Sequence, residues 1–417
     1  MLVPKKPDKY KILTIGDHPL VPSGCGLQSK YIIEGLLKTD RYQFISFGAA
    51  IKHPDYRPVK IVEFGDDWVI LPTDGYGNPV MLREVLDLEK PDALWFITDP
   101  RFYVWLFEMS DEVLDRNIPM LWWTIWDNFP TPQFNKVYYD SCTFLGCISK
   151  LTHSIVQELG FSDKAEYIPH AVDPNFFKIL DEDLVRNERV KLFGKEKADS
   201  FILFYNSRNA RRKKTSDAVA AFKLFADQIG DQNGEKCFFL MHCDPNDQEG
   251  ANLFEVCKML NLKNSQIVFS TEKLPFDKLA MLYNIADITI TISAEEGYGL
   301  SCLESLMCGT PTIVSKTGGL QEFGAQLEPA AKLLVGSQQI PYIFSDHVSH
   351  EQVVDALIQM YSLTRTQRKE LGKRARESVL KRYKLDKMVN QWDNAFIKYI
   401  KEFKENGNQR RVRLSRI

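Results

Sequence analysis

The sequence predicts an α/β fold of two doubly wound domains, and three observations lead there. Short apolar runs alternate with helical patterns over most of the chain. Each run is continuously apolar instead of alternating with polar residues, which suits parallel strands covered on both faces. The length, 417 residues, is too great for one ordinary core and fits two domains of roughly 150–200 residues each. Strand–helix alternation throughout implies crossover connections, hence doubly wound sheets.

In the first half the apolar runs are Ile12–Ile15, Phe44–Phe47, Val69–Leu71, Ala93–Ile97, Met120–Ile125 and Phe144–Ile148. In the second they are Phe201–Tyr205, Cys237–Met241, Ile267–Phe269, Ile288–Ile292, Thr312–Val314 and Lys332–Val335. Residues 172–200 are charged and carry no strand pattern, which places the domain boundary in that stretch. The expected division is a first domain over 1–175, a second over 176–385 and a closing segment over 386–417. In the closing segment Met388, Trp392, Phe396, Ile400 and Phe403 recur at helical spacing, the pattern of one long amphipathic helix. A polar, basic tail follows it, with Arg410 to Arg416 at its end.

Composition removes several function classes. Hydrophobic residues are 44% and charged residues 26%, which are globular values. Lys and Arg total 53 against 55 Asp and Glu, so the whole chain is no polycation and any basic surface is local. No apolar run approaches the ~18 residues of a membrane span, and the opening MLVPKKPDKYK lacks a signal-peptide core. The eight cysteines have no zinc-type spacing, so reduced, buried thiols and a cytoplasmic location are expected.

The densest chemical signal is Ala294-Glu295-Glu296-Gly297-Tyr298-Gly299-Leu300-Ser301-Cys302-Leu303-Glu304, directly after the run Ile288–Ile292. Gly297 and Gly299 allow a tight turn and close backbone approach to a ligand. Leu300, Leu303, Leu306 and Met307 have helical spacing, so a helix begins near Gly299 or Leu300. Its free N–H groups and positive dipole end then face the crevice where the strands end, an anion site. Glu296 precedes the helix and Glu304 lies about one turn inside it. The two acids either address different parts of one extended ligand, or are a helix-cap acid and a solvated surface charge. Cys308-Gly309-Thr310-Pro311 then ends the helix, and Gly318-Gly319 followed by Glu322 forms a second glycine turn before an acid.

In this order the three motifs resemble those of retaining glycosyltransferases of family 4. The resemblance implies the GT-B fold: two Rossmann-like domains facing each other across a cleft, with a C-terminal helix crossing back to the first domain. By that resemblance Glu296 contacts donor-sugar hydroxyls near the reacting carbon and Glu304 holds the ribose. Gly297, Tyr298, Gly299, Leu300 and the Gly318-Gly319 turn bind the sugar and diphosphate. The cation-rich loop from Ser207 to Lys214 follows the first strand of the second half. Its Ser207-Arg208-x₄-Lys213 stands where the family has Gly-Arg-x₄-Lys, which makes Arg208 and Lys213 the diphosphate ligands. Cations fixed there stabilise charge developing on a departing diphosphate. In the first loop, Gly24 and Gly26 match glycines that approach the donor phosphate, with Asp17 and His18 as acceptor candidates. A dinucleotide-type G-x-G-x-x-G is incomplete there, because Ser29 stands at its third glycine.

Trp122-Trp123-Thr124-Ile125-Trp126-Asp127 ends the strand expected at Met120–Ile125. Trp126-Asp127 falls where the family often has His-Asp, so the usual histidine is missing. Asp127 is the candidate acceptor ligand or general base, with Trp126 beside it and Asp99 at a neighbouring strand end. The tryptophans either stack a ligand ring or pack the core. His170, in Pro169-His170-Ala171-Val172-Asp173, reads as structural.

The expected function is retaining transfer of a sugar from a nucleoside-diphosphate sugar, UDP by preference, to an acceptor hydroxyl. No cofactor and no metal are expected if Arg208, Lys213 and the helix N-terminus neutralise the phosphates. Oligomeric state is left open. Alternatives are a DNA glycosyltransferase acting on hydroxymethylated pyrimidines, for which Arg211–Lys214 and the basic tail would track phosphates, a GT-B-fold epimerase or phosphorylase, and a non-enzymatic binding protein.

Overall fold

The computed structural model describes residues 2–21, 23–263 and 265–407. They form two compact units. One holds the described residues up to Trp126, Thr131–Ala171 and the stretch from Leu385 onward; the other holds Asp127–Pro130 and Val172–Lys384.

In the first unit the strands are β1 (Tyr10–Asp17), β2 (Tyr42–Ala49), β3 (Val59–Lys60), β4 (Trp68–Pro72), β5 (Ala93–Ile97), β6 (Met120–Thr124), β7 (Phe144–Cys147) and β8 (Ala165–Tyr167). Their spatial order is β3-β4-β2-β1-β5-β6-β7-β8. All neighbours pair in parallel except β3 with β4. The six central strands are the six apolar runs. The exposed β3 and the half-buried β8 carry no such run, because edge strands need no continuous apolar face. Trp122 and Trp123 are fully buried in β6, and Trp126 is nearly so. The aromatic cluster is therefore core and offers no ligand-stacking face. His170 is also buried, edge-on to Trp123 at 4.5 Å between ring centroids. Burial pushes its pKa down to about 3, consistent with a neutral, packing imidazole.

The helix Leu385–Asn406 belongs to this unit and buries Met388, Trp392, Phe396 and Ile400. Trp392 sits edge-on to Trp95 at 5.2 Å and to Trp123 at 5.4 Å. Its other anchors are polar: Tyr42 Oη donates to Asp393 Oδ1 at 2.6 Å, and Arg41 Nη2 to Asp393 Oδ2 at 2.5 Å. A Cβ on Gly35 would lie 2.6 Å from Val389, so the first helix approaches closely at that point. That first helix spans Gly24–Leu37, with Ser23 Oγ accepting from Gly26 N as its cap. The cap residue therefore lies before the glycines, so both Gly24 and Gly26 fall within the helix.

In the second unit the strands are β9 (Phe201–Asn206), β10 (Cys237–His242), β11 (Ile267–Ser270), β12 (Ile288–Thr291), β13 (Thr312–Ser315) and β14 (Ala325–Leu327). They form one parallel sheet in the order β11-β10-β9-β12-β13-β14. Phe222, Phe225, Val353 and Leu357, from helices Thr215–Gln228 and His350–Ser362, share a core with Leu203, Phe239 and Ile290. One expected strand is misplaced. Lys332–Val335 lies in β15 (Ala331–Val335), which among the described residues pairs with β16 (Ile343–His347) alone, in an antiparallel ribbon. All five β15 residues are exposed. The charged stretch 172–200 holds a helix, Glu182–Phe193.

The segment 127–130 differs from its expected place in the first domain. Phe344 N donates to Phe129 O at 2.7 Å, and Asn128 Nδ2 donates to Phe344 O at 3.0 Å, so contacts group it with β16. All eight cysteines are free thiols, seven of them buried and Cys25 half-buried. Among the described residues no helix is long and apolar enough to cross a membrane. The basic tail, Arg410 to Arg416, considered above for tracking phosphates, lies outside the described residues.

Candidate functional site

In the second sheet the chain winds outward in one direction from β9 and in the other from β12, and these two strands are neighbours. Loops at the carboxyl ends of such a pair flank the crevice where ligands bind in open α/β sheets. The loop after β9 runs through a 3₁₀ turn, Arg211–Lys213, into the helix Thr215–Gln228. The loop after β12 runs from Ile292 to Gly299, into the helix Leu300–Met307. The two loops are tied together: Ala294 N donates to Arg212 O at 2.7 Å, and Arg212 Nη1 to Glu295 O at 2.8 Å.

This brings Lys213 and Glu296 into contact. Lys213 Nζ donates to Glu296 Oε2, Ser293 Oγ lies 3.3 Å from the same oxygen, and Arg212 Nη1 lies 3.7 Å from it. The side chains of Lys213 and Glu296 are only 11% and 13% exposed. Burial alone would raise the Glu296 pKa, but the fields of Lys213 and Arg212 hold it below the usual carboxylate range. For Lys213, burial outweighs its acidic partner and lowers the pKa. The two form a mostly buried ion pair that leaves an uncompensated charge if either partner is removed.

Glycines make the rest of the site. Gly299 has φ +98° and caps Leu300–Met307 without any side-chain cap, so the helix presents backbone N–H groups at its start. Gly318 has φ +48°, and a Cβ there would stand 2.0 Å from Glu296 O. A Cβ on Gly319 would stand 2.5 Å from Gly297 O, and Gly319 N donates to Glu296 O at 2.8 Å. The two glycine turns therefore stack backbone on backbone, which side chains would prevent. Thr317 Oγ1, donating to Ala294 O at 3.1 Å, fixes the same contact.

Glu304 lies within the uncapped helix and is buried. Tyr283 Oη donates to its Oε2 at 2.7 Å, and Asn206 Nδ2 bridges Tyr283 Oη at 2.7 Å and Glu304 Oε2 at 3.5 Å. Burial pushes its pKa up to about 7, with the Tyr283 hydrogen bond opposing. A solvated surface acid is thereby excluded. Tyr283 and Asn206 carry no motif that would have singled them out. Their one signal is position: Asn206 ends β9 immediately before the cationic loop.

Two donor candidates are placed differently from their neighbours. Arg208 turns away into a bidentate pair with Asp247, at 2.6 Å and 3.0 Å, and its side chain is 64% exposed. The structure thus brings Lys213 to Glu296 but does not bring Arg208 there. Asp247 was missed because it lies in a separate loop, after β10. The ring of Tyr298 is buried edge-on to Phe323 at 5.3 Å, so only its backbone is placed for a ligand.

In the first unit, Gly24 and Gly26 lie inside the first turn of their helix. A Cβ on Gly26 would meet His18 O at 2.7 Å. Asp17 is held by its neighbours, Ser23 Oγ donating at 2.6 Å and Tyr76 Oη at 2.8 Å. His18 is buried, 5.8 Å from the His53 ring, and burial followed by His53 lowers its pKa. Asp99 caps a 3₁₀ turn and forms a fork with Arg101, with two contacts at 2.8 Å. Asp127 is half-buried, in the segment grouped with the second unit.

Residues 187–378 match the profile of the family described as glycosyl transferases group 1. The chain carries a group 1 glycosyltransferase domain. Lys213, Glu296, Glu304 and both glycine turns lie within it. Among relatives, N-acetyl-alpha-D-glucosaminyl L-malate synthase of Bacillus anthracis is 22% identical over 276 residues, 66% of this chain and 65% of that protein. The chain thus aligns with just under two thirds of that relative's length. Among solved structures, sucrose-phosphate synthase of Thermosynechococcus elongatus superposes with TM-score 0.72 at 16% identity, over 94% of this chain and 99% of that one. Anabaena HepE in complex with UDP superposes with TM-score 0.68 at 14% identity, over 93% and 100%. At these identities the structures establish the fold, GT-B, and the group 1 domain is its second unit.

Proposed function

We propose that the chain transfers a sugar from a nucleoside-diphosphate donor, UDP-linked, to an acceptor hydroxyl with retention of anomeric configuration. The observation that carries this is the buried Lys213–Glu296 pair beside the uncapped helix at Gly299. A diphosphate arriving at that helix start would compete with Glu296 for Lys213 and release the carboxylate toward sugar hydroxyls. As the anomeric C–O bond breaks, its electron pair passes to the diphosphate, where Lys213 and the helix N–H groups stabilise it. The acceptor oxygen attacks from the face the diphosphate leaves, and its proton passes to the departing phosphate oxygen. Glu304, with Tyr283 and Asn206, is assigned to the ribose hydroxyls.

These groups supply the positive charge themselves, so the reading assigns no metal and no cofactor. The fold neighbour solved in complex with UDP, Anabaena HepE, supports uridine as the base. Asp17, His18 and Asp99 at the first sheet's strand ends, and Asp127 on its own segment, are the residues assigned to the acceptor. The test is a thermal-shift screen of nucleoside-diphosphate sugars, followed by mass spectrometry of acceptor mixtures. A UDP-sugar is expected to stabilise the protein and release UDP only when acceptor is present. Donor turnover without acceptor points instead to an epimerase or hydrolase, and no stabilisation by any donor removes the reading.

A further inference from the structure

At the amino ends of β12 and β13, away from the donor loops, the second unit has a recess that the proposed reaction does not use. It lies between the helices Glu182–Phe193 and Arg365–Arg382 and encloses about 70 Å³, room for about two waters or one tetrahedral oxyanion. Arg365, Lys369 and Lys373 all line it, and their spacing of four residues stacks three like charges on one helix face, a repulsive arrangement unless an anion is present. The lining acids balance them only in part: Glu182 feels the fields of all three but is one carboxylate against three cations. Asp287 is already engaged by Arg189 Nη2 at 2.6 Å and Arg368 Nη2 at 2.9 Å. Glu182 meets Lys369 at 2.7 Å through a side chain that is 77% exposed, so it can swing outward without disturbing the core. The acid paired with Arg365 is Asp199 at 3.6 Å, itself shared with Arg186. Among the described residues Lys373 makes no ion pair.

We propose that this recess binds a phosphate-class anion, held by Arg365, Lys369 and Lys373. The ligand is inorganic phosphate or the phosphoryl group of a small metabolite whose remainder projects into solvent. Guanidinium and ammonium groups converging on one small recess suit that chemistry.

Calorimetric titration of the full chain with inorganic phosphate and with glucose 6-phosphate, at ionic strength fixed with KCl, tests it. The double variant Arg365→Gln, Lys373→Gln keeps the side-chain stems and should fold, as neither residue contributes to the core. Both titrants are expected to bind the unmodified chain saturably, and the double variant to lose that site or weaken it at least about tenfold. Tighter binding of glucose 6-phosphate assigns the site to a phosphorylated metabolite; equal binding assigns it to free phosphate. No saturable binding, or binding unchanged in the double variant, overturns the proposal. Neither residue belongs to the donor loops, so that failure would leave the donor reading standing.

Discussion

After β1 and β5 of the first unit, acids are met first within their own loops, Asp17 by Ser23 and Asp99 by Arg101, with the Tyr76 hydroxyl, 59 residues on, completing Asp17. After β9 and β12 of the second unit, the contact is made at long range, with Lys213 and Glu296 83 residues apart in sequence. Each of these acids has at least one partner within its own loop, Ser23 for Asp17 and Arg101 for Asp99, and among the described residues neither meets a cation from a distant loop. The long-range pair places two opposite charges in partial burial next to an uncapped helix, where a ligand of the right charge can exchange with one of them. Comparable strand ends thus carry braced acids in one unit and a long-range, mostly buried ion pair in the other.

The largest expected effect breaks that contrast if it fails. Lys213→Ala should lower turnover about 10²–10³-fold, measured by nucleoside-diphosphate release, because it removes the leaving-group cation and strands Glu296. Asp17→Asn keeps one acceptor oxygen and offers an N–H donor to the other hydroxyl, and should stay within about tenfold of the unmodified enzyme. A greater loss for Asp17→Asn than for Lys213→Ala would reverse the roles assigned to the two units. Next in size is Gly318→Ala, which combines φ +48° with a Cβ 2.0 Å from Glu296 O. It should cost about 1–3 kcal/mol in urea denaturation and also lower donor affinity. Gly65→Ala, at φ +54° with nothing within 4 Å, is the control in the first unit and should cost less. Equal losses would mean the stacked glycine turns carry no special constraint.

Smaller still is a pH effect. Glu304 is raised in the folded chain to about 7 from the ordinary 4.5. The stabilising contribution of its protonated form is therefore fully present below about 4.5 and lost as pH rises through about 7. Glu304→Gln should remove that component, so its melting temperature should gain on the unmodified chain between pH 5 and 8. Parallel profiles would place Glu304 in solvent. The smallest effect expected in the donor loops is Arg208→Ala. An exposed pair with Asp247 is worth about 0–1 kcal/mol, so stability should scarcely change and turnover should fall less than with Lys213→Ala. A loss as large as that of Lys213→Ala would show that Arg208 leaves Asp247 for the diphosphate when donor binds.

Most strands could be read from the sequence, because parallel strands covered on both faces must be continuously apolar. The failures have the same cause in reverse. β3, β8, β14 and β16 lie at edges or in a ribbon, where no continuous apolar run is required, and Lys332–Val335 is apolar yet uncovered. The glycines of the donor turns were also readable, since only glycine permits that backbone.

The sequence by itself determined the two doubly wound halves, the loop that carries Glu296, the helix that begins at Leu300 and the stripe of the C-terminal helix. Each depends on periodicity or on backbone freedom within a few residues. Only the tertiary structure decided which cation Glu296 meets, that Arg208 turns to Asp247, that Tyr283 and Asn206 enclose Glu304, and that segment 127–130 groups with β16. Those outcomes depend on which strands become neighbours. Electrostatic partnership and desolvation act through space, and no local pattern in the chain encodes them.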